Sequence, residues 1–382
     1  MTGEWITAAG VFDGTDLRRD HAVQVQNGLA IAHRPRAALP ANTPVRTVGH
    51  ILTPAFFDIQ VNGGGGVLFN TTPSAAGLRR IAAAHCALGT GAILPTVITD
   101  APEVMEAATR AVIQAAGRDG IAGLHIEGPH IAAARHGTHD AAHIRPLDAR
   151  TLAIVRDLRA RNIPVLITLA PEATAPGQIA ELAALGAVVS LGHTDAPLAQ
   201  VRAAEAEGAR LYTHLFNAMS PMLNRAPGVT GAAIRSSNYC SIIADGIHVA
   251  PEMLQIAIAA RPVADRMILI SDAMPTVGGP DGFTLYGKMV HLAEGRLVNG
   301  AGSLAGAHTW MAACLAYAVN RLGVVPETAL RMALTNPARL MGLDAKFQLG
   351  TCHARRLLVL DKQMRAAPVP AAAALGSSAA TS

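Results

Sequence analysis

The 382-residue sequence predicts an α/β fold: a (β/α)8 TIM barrel with a small β-sandwich domain built from both chain ends. Three observations carry this. Short apolar runs alternate with Ala/Leu-rich stretches through the middle of the chain, as in parallel βαβ units. Eight such units fit into roughly 290 residues, the size of a TIM barrel. Acidic and imidazole residues fall at the ends of the apolar runs, where a barrel gathers its chemistry.

In chain order, Ala22-Val23-Gln24-Val25 and Leu29-Ala30-Ile31-Ala32 alternate like small strands broken by Gly and Pro. The run Arg356–Asp361 reads the same way. Residues 1–53 and 345–365 are therefore expected to form one discontinuous β-domain, residues 54–344 the catalytic barrel, and residues 366–382, rich in Ala, Pro and Ser, a disordered tail. Barrel strands are expected at Phe56–Val61, Ala92–Pro95, Gly123–Ile126, Val165–Leu169, Val188–Leu191, Arg210–Thr213, Ser241–Ala244 and Met267–Ile270. Helices are expected at Glu103–Ala116, Thr151–Arg161, Gln178–Leu185, Ala196–Glu207 and Thr309–Leu322. A doubly wound open sheet is the alternative. No GxGxxG turn opens a helix, and Gly63–Gly66 are not spaced for dinucleotide binding.

Composition narrows the function. Charged residues are 15% of the chain, which speaks for a buried core over disorder. The net charge of +4 is spread over single Arg residues and pairs such as Arg79-Arg80, and aromatics are 3%. Nucleic-acid binding wants a basic stripe with stacking aromatics, so it is excluded, whereas an anionic small substrate fits. The four cysteines, Cys86, Cys240, Cys314 and Cys352, form no CxxC pair and read as free thiols. Met1-Thr2-Gly3-Glu4-Trp5 does not open a signal peptide. No apolar run approaches the roughly 18 residues of a membrane span. A cytoplasmic enzyme is expected.

Four polar residues stand out by position. Glu127 ends the third expected strand, His193 the fifth, His214 the sixth and Asp272 the eighth. Strand ends of a barrel converge on one face, so residues far apart in sequence would meet. Alone, each could be a hydrogen-bonded structural residue. Together, two imidazoles and a carboxylate form a ligand set for catalytic zinc, with a fourth position for water whose pKa falls toward ~7. Asp272 would then receive that water's proton.

The chain resembles the N-acetylglucosamine-6-phosphate deacetylases of the amidohydrolase superfamily over nearly all of residues 1–362. The likeness rests on the ordered motifs Pro54–Gly63, His125-Ile126-Glu127-Gly128-Pro129, Gly137-Thr138-His139, Leu191-Gly192-His193-Thr194, Thr213–Met219, Asp245-Gly246-Ile247-His248 and Ser271-Asp272-Ala273-Met274. The resemblance implies a metal-dependent hydrolysis of the N-acetyl group of N-acetyl-D-glucosamine 6-phosphate, yielding acetate and glucosamine 6-phosphate. It implies one divalent ion per subunit, Zn2+ with Fe2+, Co2+ or Mn2+ as alternatives, held by Glu127, His193 and His214. It makes Asp272 the proton carrier and places His139 near the acetyl group. Asn217, Ala218, Arg225 and His248 match positions that hold the 6-phosphate, part of the grip coming from a second subunit, so a homodimer is implied. Alternatives are the galacto epimer as substrate, a cyclic-amide hydrolase, or a non-catalytic sugar-phosphate sensor.

Many amidohydrolases carry His-x-His at the end of the first strand and bind two metals. Here those positions read Gln60-Val61-Asn62, and amides are poor transition-metal ligands. One metal is expected, with Gln60 and Asn62 hydrogen-bonding Asp272, the ligands or water. The cluster His136, His139, Asp140 and His143 could be drawn as a second metal site, but it contains Gly137 and reads as a loop over the pocket. His125, two residues before Glu127, is expected one layer deeper on the same side. Glu172, at the fourth strand's end, is expected to support the ligands. The loop Ser303–Ala307 is expected near the substrate.

Overall fold

The computed structural model describes residues 3–27, 29–300, 302, 304–350 and 357–370. Eight parallel strands form its centre: β1 (Phe56–Val61), β2 (Thr90–Ile98), β3 (Leu124–Glu127), β4 (Val165–Leu169), β5 (Val188–Leu191), β6 (Ala209–Tyr212), β7 (Tyr239–Ile243) and β8 (Met267–Ile270). Each pairs with its sequence neighbour, giving one sheet ordered β1 to β8. Every residue of β1 and of β4 is buried, as expected of parallel strands covered on both faces. Between β8 and β1 the contact is an isolated bridge, Val61 to Ala273, and the amides of Asn62 and Gly63 donate to the Ala273 carbonyl at 2.9 and 3.0 Å.

The surrounding helices are α1 (Ala75–Ala87), α2 (Pro102–Ala115), α3 (Ala149–Ala160), α4 (Gln178–Ala184), α5 (Leu198–Ala206), α6 (Gly228–Arg235), α7 (Pro251–Ala260) and α8 (Met311–Asn320). Local chemistry sets their starts. Pro102 takes the first turn of α2, where its missing N–H costs nothing, and the Asp148 carboxylate caps α3 by accepting from the Thr151 amide at 2.8 Å. The inward face of α2 carries Ala108, Ala111 and Ala115, small enough for the helix to lie close to the sheet.

Segments from both chain ends build two further sheets. One runs Leu29–Pro35, His21–Gln26, Glu4–Thr7, Val45–Thr47; the other runs Ala366–Pro368, Leu357–Leu360, Ile51–Pro54, Gly10–Phe12, Leu17–Arg18. Ile6, Val11, Val23, Leu52 and Leu349 share an apolar cluster there. Ala366–Pro368 corrects the expectation of a disordered tail from residue 366: it pairs antiparallel with Leu357–Leu360. A strand of Ala and Pro has no apolar alternation to reveal it, and Pro is tolerated at a sheet edge because no ladder N–H is needed there. Residues 371–382, with the rest of that expected tail, and Ser303, Cys352 and Arg356 lie outside the described residues.

An antiparallel three-stranded sheet, Gly282–Leu285, Lys288–Ala293 and Arg296–Asn299, is inserted after β8. Its Phe283, Leu285, Val290 and Leu297 pack on Leu68, Ile98 and Met274 at the barrel mouth. This sheet is not among the elements expected from the sequence. Tyr286-Gly287 and Glu294-Gly295, all at positive φ, are its two-residue hairpin turns, and their glycines are the trace it leaves in the sequence.

His85 on α1 is fully buried and donates from Nε2 to the Gly63 carbonyl at 2.9 Å. Burial lowers its pKa from 6.5 to about 4. The unfolded chain therefore binds a proton that the folded chain refuses. The stability this contributes is present above about pH 6.5 and is lost as pH falls toward 4. Denaturation midpoints are expected to drop over that window, and less steeply in His85→Gln; an unchanged slope in the variant would remove the assignment.

Candidate active site

Glu127 is the last residue of β3, while His193, His214 and Asp272 each lie two residues beyond β5, β6 and β8. Those three have φ of +50°, +33° and +50°, and Phe216 and Ala218 are also left-handed. Five residues with side chains in a region that disfavours them, clustered at one barrel mouth, mark a site where placement overrides local preference.

The strand ends bring three ligand-type atoms together. Glu127 Oε1 is 3.3 Å from His193 Nε2 and 3.0 Å from His214 Nε2, and the two nitrogens are 3.1 Å apart. Bonds of about 2.1 Å at tetrahedral angles would separate ligand atoms by about 3.4 Å. One of these imidazoles is oriented from behind: His193 Nδ1 donates to the Arg135 carbonyl at 2.9 Å, which turns Nε2 toward the cluster. All three side chains are buried. Converging lone pairs repel unless a cation or proton lies between them, so this donor set fits a divalent ion. His139 offers a further donor in the same space, since its ring atom, a Glu127 oxygen and a His193 nitrogen lie within 4.8 Å of one another.

Amides tie the cluster to Asp272. Gln60 Nε2 donates to Glu127 Oε1 at 2.9 Å and to Asp272 Oδ1 at 3.1 Å, and Asn62 Nδ2 donates to Asp272 Oδ1 at 2.7 Å. Both N–H bonds to Asp272 converge on Oδ1, so Oδ2 is the oxygen left for other chemistry. Burial, and then the charge of Glu127, push the Asp272 carboxyl up to about 6. Burial works against Glu127 as well, but the His193 and His214 imidazoles beside it hold its carboxyl well below its ordinary value.

Beneath the ligands runs a polar belt. His125 bonds Thr96 Oγ1 at 3.2 Å through Nδ1 and Thr168 Oγ1 at 2.8 Å through Nε2, and Thr168 bonds Thr213 at 2.7 Å. Thus His125 lies one layer deeper than Glu127 and braces β2, β3, β4 and β6. Glu172 is exposed and reaches no ligand side chain. Its oxygens accept from the Thr194 hydroxyl and the Asp195 amide, both at 2.6 Å, so it fastens the turn that follows His193.

His139 bonds Thr99 Oγ1 through Nδ1 at 2.7 Å, and its ring centroid is 4.3 Å from that of His193. Burial, then the neighbouring His193, hold its pKa well below the ordinary value, so the ring is neutral. Gly128 permits this arrangement: a Cβ there would lie 2.2 Å from Thr99 Oγ1. Tyr286, at the tip of the inserted sheet, donates its hydroxyl to the Thr99 carbonyl. Neither Thr99 nor Tyr286 is marked in the sequence, because their bearing on His139 exists only across strands.

One cavity holds these groups. Glu127, His139, His193, His214, Asp272 and Asn62 line it with Asn217, Ala218 and His248, and Ile98, Ile243, Met274 and Leu304 form apolar wall. Leu304 and Gly306 bring the expected 303–307 loop to the cavity. His248 is oriented by Asp245, whose Oδ2 is 2.7 Å from its Nδ1. Arg225 does not line the cavity. It sits on an exposed segment between β6 and α6, beside Met222 and Leu223. Among the described residues no helix is long and apolar enough to cross a membrane.

A model of the amidohydrolase family matches residues 51–348. The N-acetylgalactosamine-6-phosphate deacetylase of Shewanella sp. (strain ANA-3) is 40% identical over 86% of this chain and 85% of its own length. The crystal structure of N-acetylglucosamine-6-phosphate deacetylase from Pasteurella multocida superposes with a TM-score of 0.87 at 29% identity, covering 95% of this chain and 96% of that one. An aspartate-to-alanine variant of the Mycobacterium smegmatis N-acetyl-D-glucosamine-6-phosphate deacetylase, in complex with N-acetyl-D-glucosamine-6-phosphate, gives 0.84 at 30% identity, covering 96% and 97%. A barrel with this donor set and these relatives leaves one assignment: the chain belongs to the amidohydrolase family, among the deacetylases of N-acetylated amino-sugar 6-phosphates.

Proposed function

We propose that the chain hydrolyses the N-acetyl group of N-acetyl-D-glucosamine 6-phosphate to glucosamine 6-phosphate and acetate. The observation that carries this reading is the free Oδ2 of buried Asp272 beside the Glu127, His193 and His214 donor set, in a cavity that His248 also lines. An ion held by those three residues, zinc in our reading, supplies a Lewis acid and an acidified water. Asp272 takes the water proton on Oδ2 and returns it to the departing amine nitrogen. With the Thr99 hydroxyl donating to its Nδ1, His139 presents an Nε2–H that orients the acetyl carbonyl.

His248, which lines the same cavity, meets the phosphate. Its Nδ1–H donates to the Asp245 carboxylate, which fixes the orientation of the ring. Asn217 and Ala218 line that cavity too. Arg225 reaches the phosphate from the second subunit of a homodimer: Met222 and Leu223, 50% and 57% exposed, flank it on a segment suited to burial against a partner. Arg225→Ala is expected to raise KM for the phosphorylated substrate by about tenfold or more while leaving the unphosphorylated sugar nearly unaffected, as loss of a charge-assisted phosphate contact should. Equal effects on both would remove the phosphate role.

The 40% identical relative named for the galacto epimer supports a second reading, N-acetylgalactosamine 6-phosphate as substrate. Acetate release from N-acetylglucosamine 6-phosphate, N-acetylgalactosamine 6-phosphate and unphosphorylated N-acetylglucosamine, measured side by side, decides. The first reading requires the gluco phosphate to give the highest kcat/KM. Preference for the galacto phosphate replaces it with the second, and no release from either phosphate overturns both.

A further inference from the structure

The ladder of paired barrel strands runs from β1 round to β8 and does not close by pairing β8 with β1. Beyond the Val61–Ala273 bridge, side-chain chemistry crosses that seam. Asp58 on β1, 0% exposed, accepts at Oδ1 from the Gln60 amide at 3.2 Å and from the Ser271 amide at 3.3 Å. Its Oδ2 accepts from the Ser271 hydroxyl. Ser271 Oγ then accepts from the Ala273 amide at 3.2 Å. The residues on either side of Asp272 are therefore anchored to one carboxylate, while Asp272 itself holds the left-handed φ of +50° that a side chain disfavours.

Burial is hard on this carboxyl and pushes it up to about 7, against the hydrogen bonds from Ser271. A buried acid kept only for packing is readily matched by apolar side chains of similar volume. Asp58 also shares its face of β1 with Gln60, by the two-residue period of a strand, and Gln60 and Asn62 are the residues whose amides hold Asp272 Oδ1. One short stretch of β1 thus holds the backbone around Asp272 from below and its carboxylate from the side.

We propose that Asp58 is a positioning residue for deacetylation: through Ser271 it fixes the backbone on both sides of Asp272 and so aims Oδ2 at the proton it carries. The inference rests on the reading of Asp272 as proton carrier. Asp58 touches neither substrate nor metal, and its effect is on kcat.

The test is steady-state kinetics at saturating metal on Asp58→Asn, Ser271→Ala, their double variant and Asp272→Asn, each with its metal content measured. Asp58→Asn and Ser271→Ala are each expected to lower kcat by about tenfold or more, as small misplacements of a reacting group do, with KM within about threefold. Because both cut one link, the double variant should be no worse than the poorer single variant. Wild-type kcat in either single variant, losses that multiply, or losses confined to KM would overturn the inference. Should Asp58→Asn fail to fold, Ser271→Ala decides alone by the same split of kcat from KM. Turnover surviving in Asp272→Asn would defeat the proton-carrier reading and this inference with it. An inactive Asp272→Asn beside wild-type Asp58→Asn and Ser271→Ala would defeat this inference only.

Discussion

Asp272→Asn is expected to lower kcat by about three orders of magnitude while leaving metal content and substrate affinity close to those of the parent, a loss in the range of removed general acid–base catalysis. The substitution is clean for a structural reason. Both N–H bonds that hold Asp272, from Gln60 and Asn62, end on Oδ1. Asparagine keeps an acceptor there and loses only the oxygen that can bind a proton. Burial and the charge of Glu127 push the Asp272 carboxyl up from its ordinary value, to about 6. Binding should be measured separately from turnover, by equilibrium titration of the variant with the 6-phosphate substrate. Turnover within about tenfold of the parent would remove Asp272 from the proton path.

The fold was legible wherever a buried strand shows itself as an apolar run. Val165–Leu169, Val188–Leu191 and Met267–Ile270 have the expected bounds because both faces are covered and every position is apolar or small. Ala366–Pro368 was not legible, since an edge strand of Ala and Pro carries no alternation. The inserted sheet after β8 was readable only through its turns. At the site, Glu127, His193, His214 and Asp272 could be picked out because each sits at a strand end. Thr99, Tyr286 and Asp58 could not, because their significance lies in what faces them across the barrel mouth or the seam. Nothing in one strand's sequence says that Asp58 meets Ser271, 213 residues away. Arg225 marks the opposite case: the family resemblance singles it out, yet the chain alone leaves it exposed and off the cavity.

Removing divalent metal is expected to abolish activity outright, and about one equivalent of ion per chain should restore it. The donor geometry argues for that stoichiometry. Glu127, His193 and His214 present one compact triangle with edges of 3.0 to 3.3 Å. A second ion at the end of β1 would meet Gln60 and Asn62, amides whose N–H groups are already committed to Glu127 and Asp272. Glu127→Gln should weaken binding about a hundredfold or more, because it removes the one anionic ligand and sets an amide against two imidazole lone pairs. Metal analysis after dialysis against a chelator, followed by titration of the ion with activity and calorimetry read together, tests both statements. Two tightly held ions per chain would show that amides at the end of β1 do not keep a second metal out, and activity that survives complete metal removal would separate the deacetylation from the Glu127, His193 and His214 cluster.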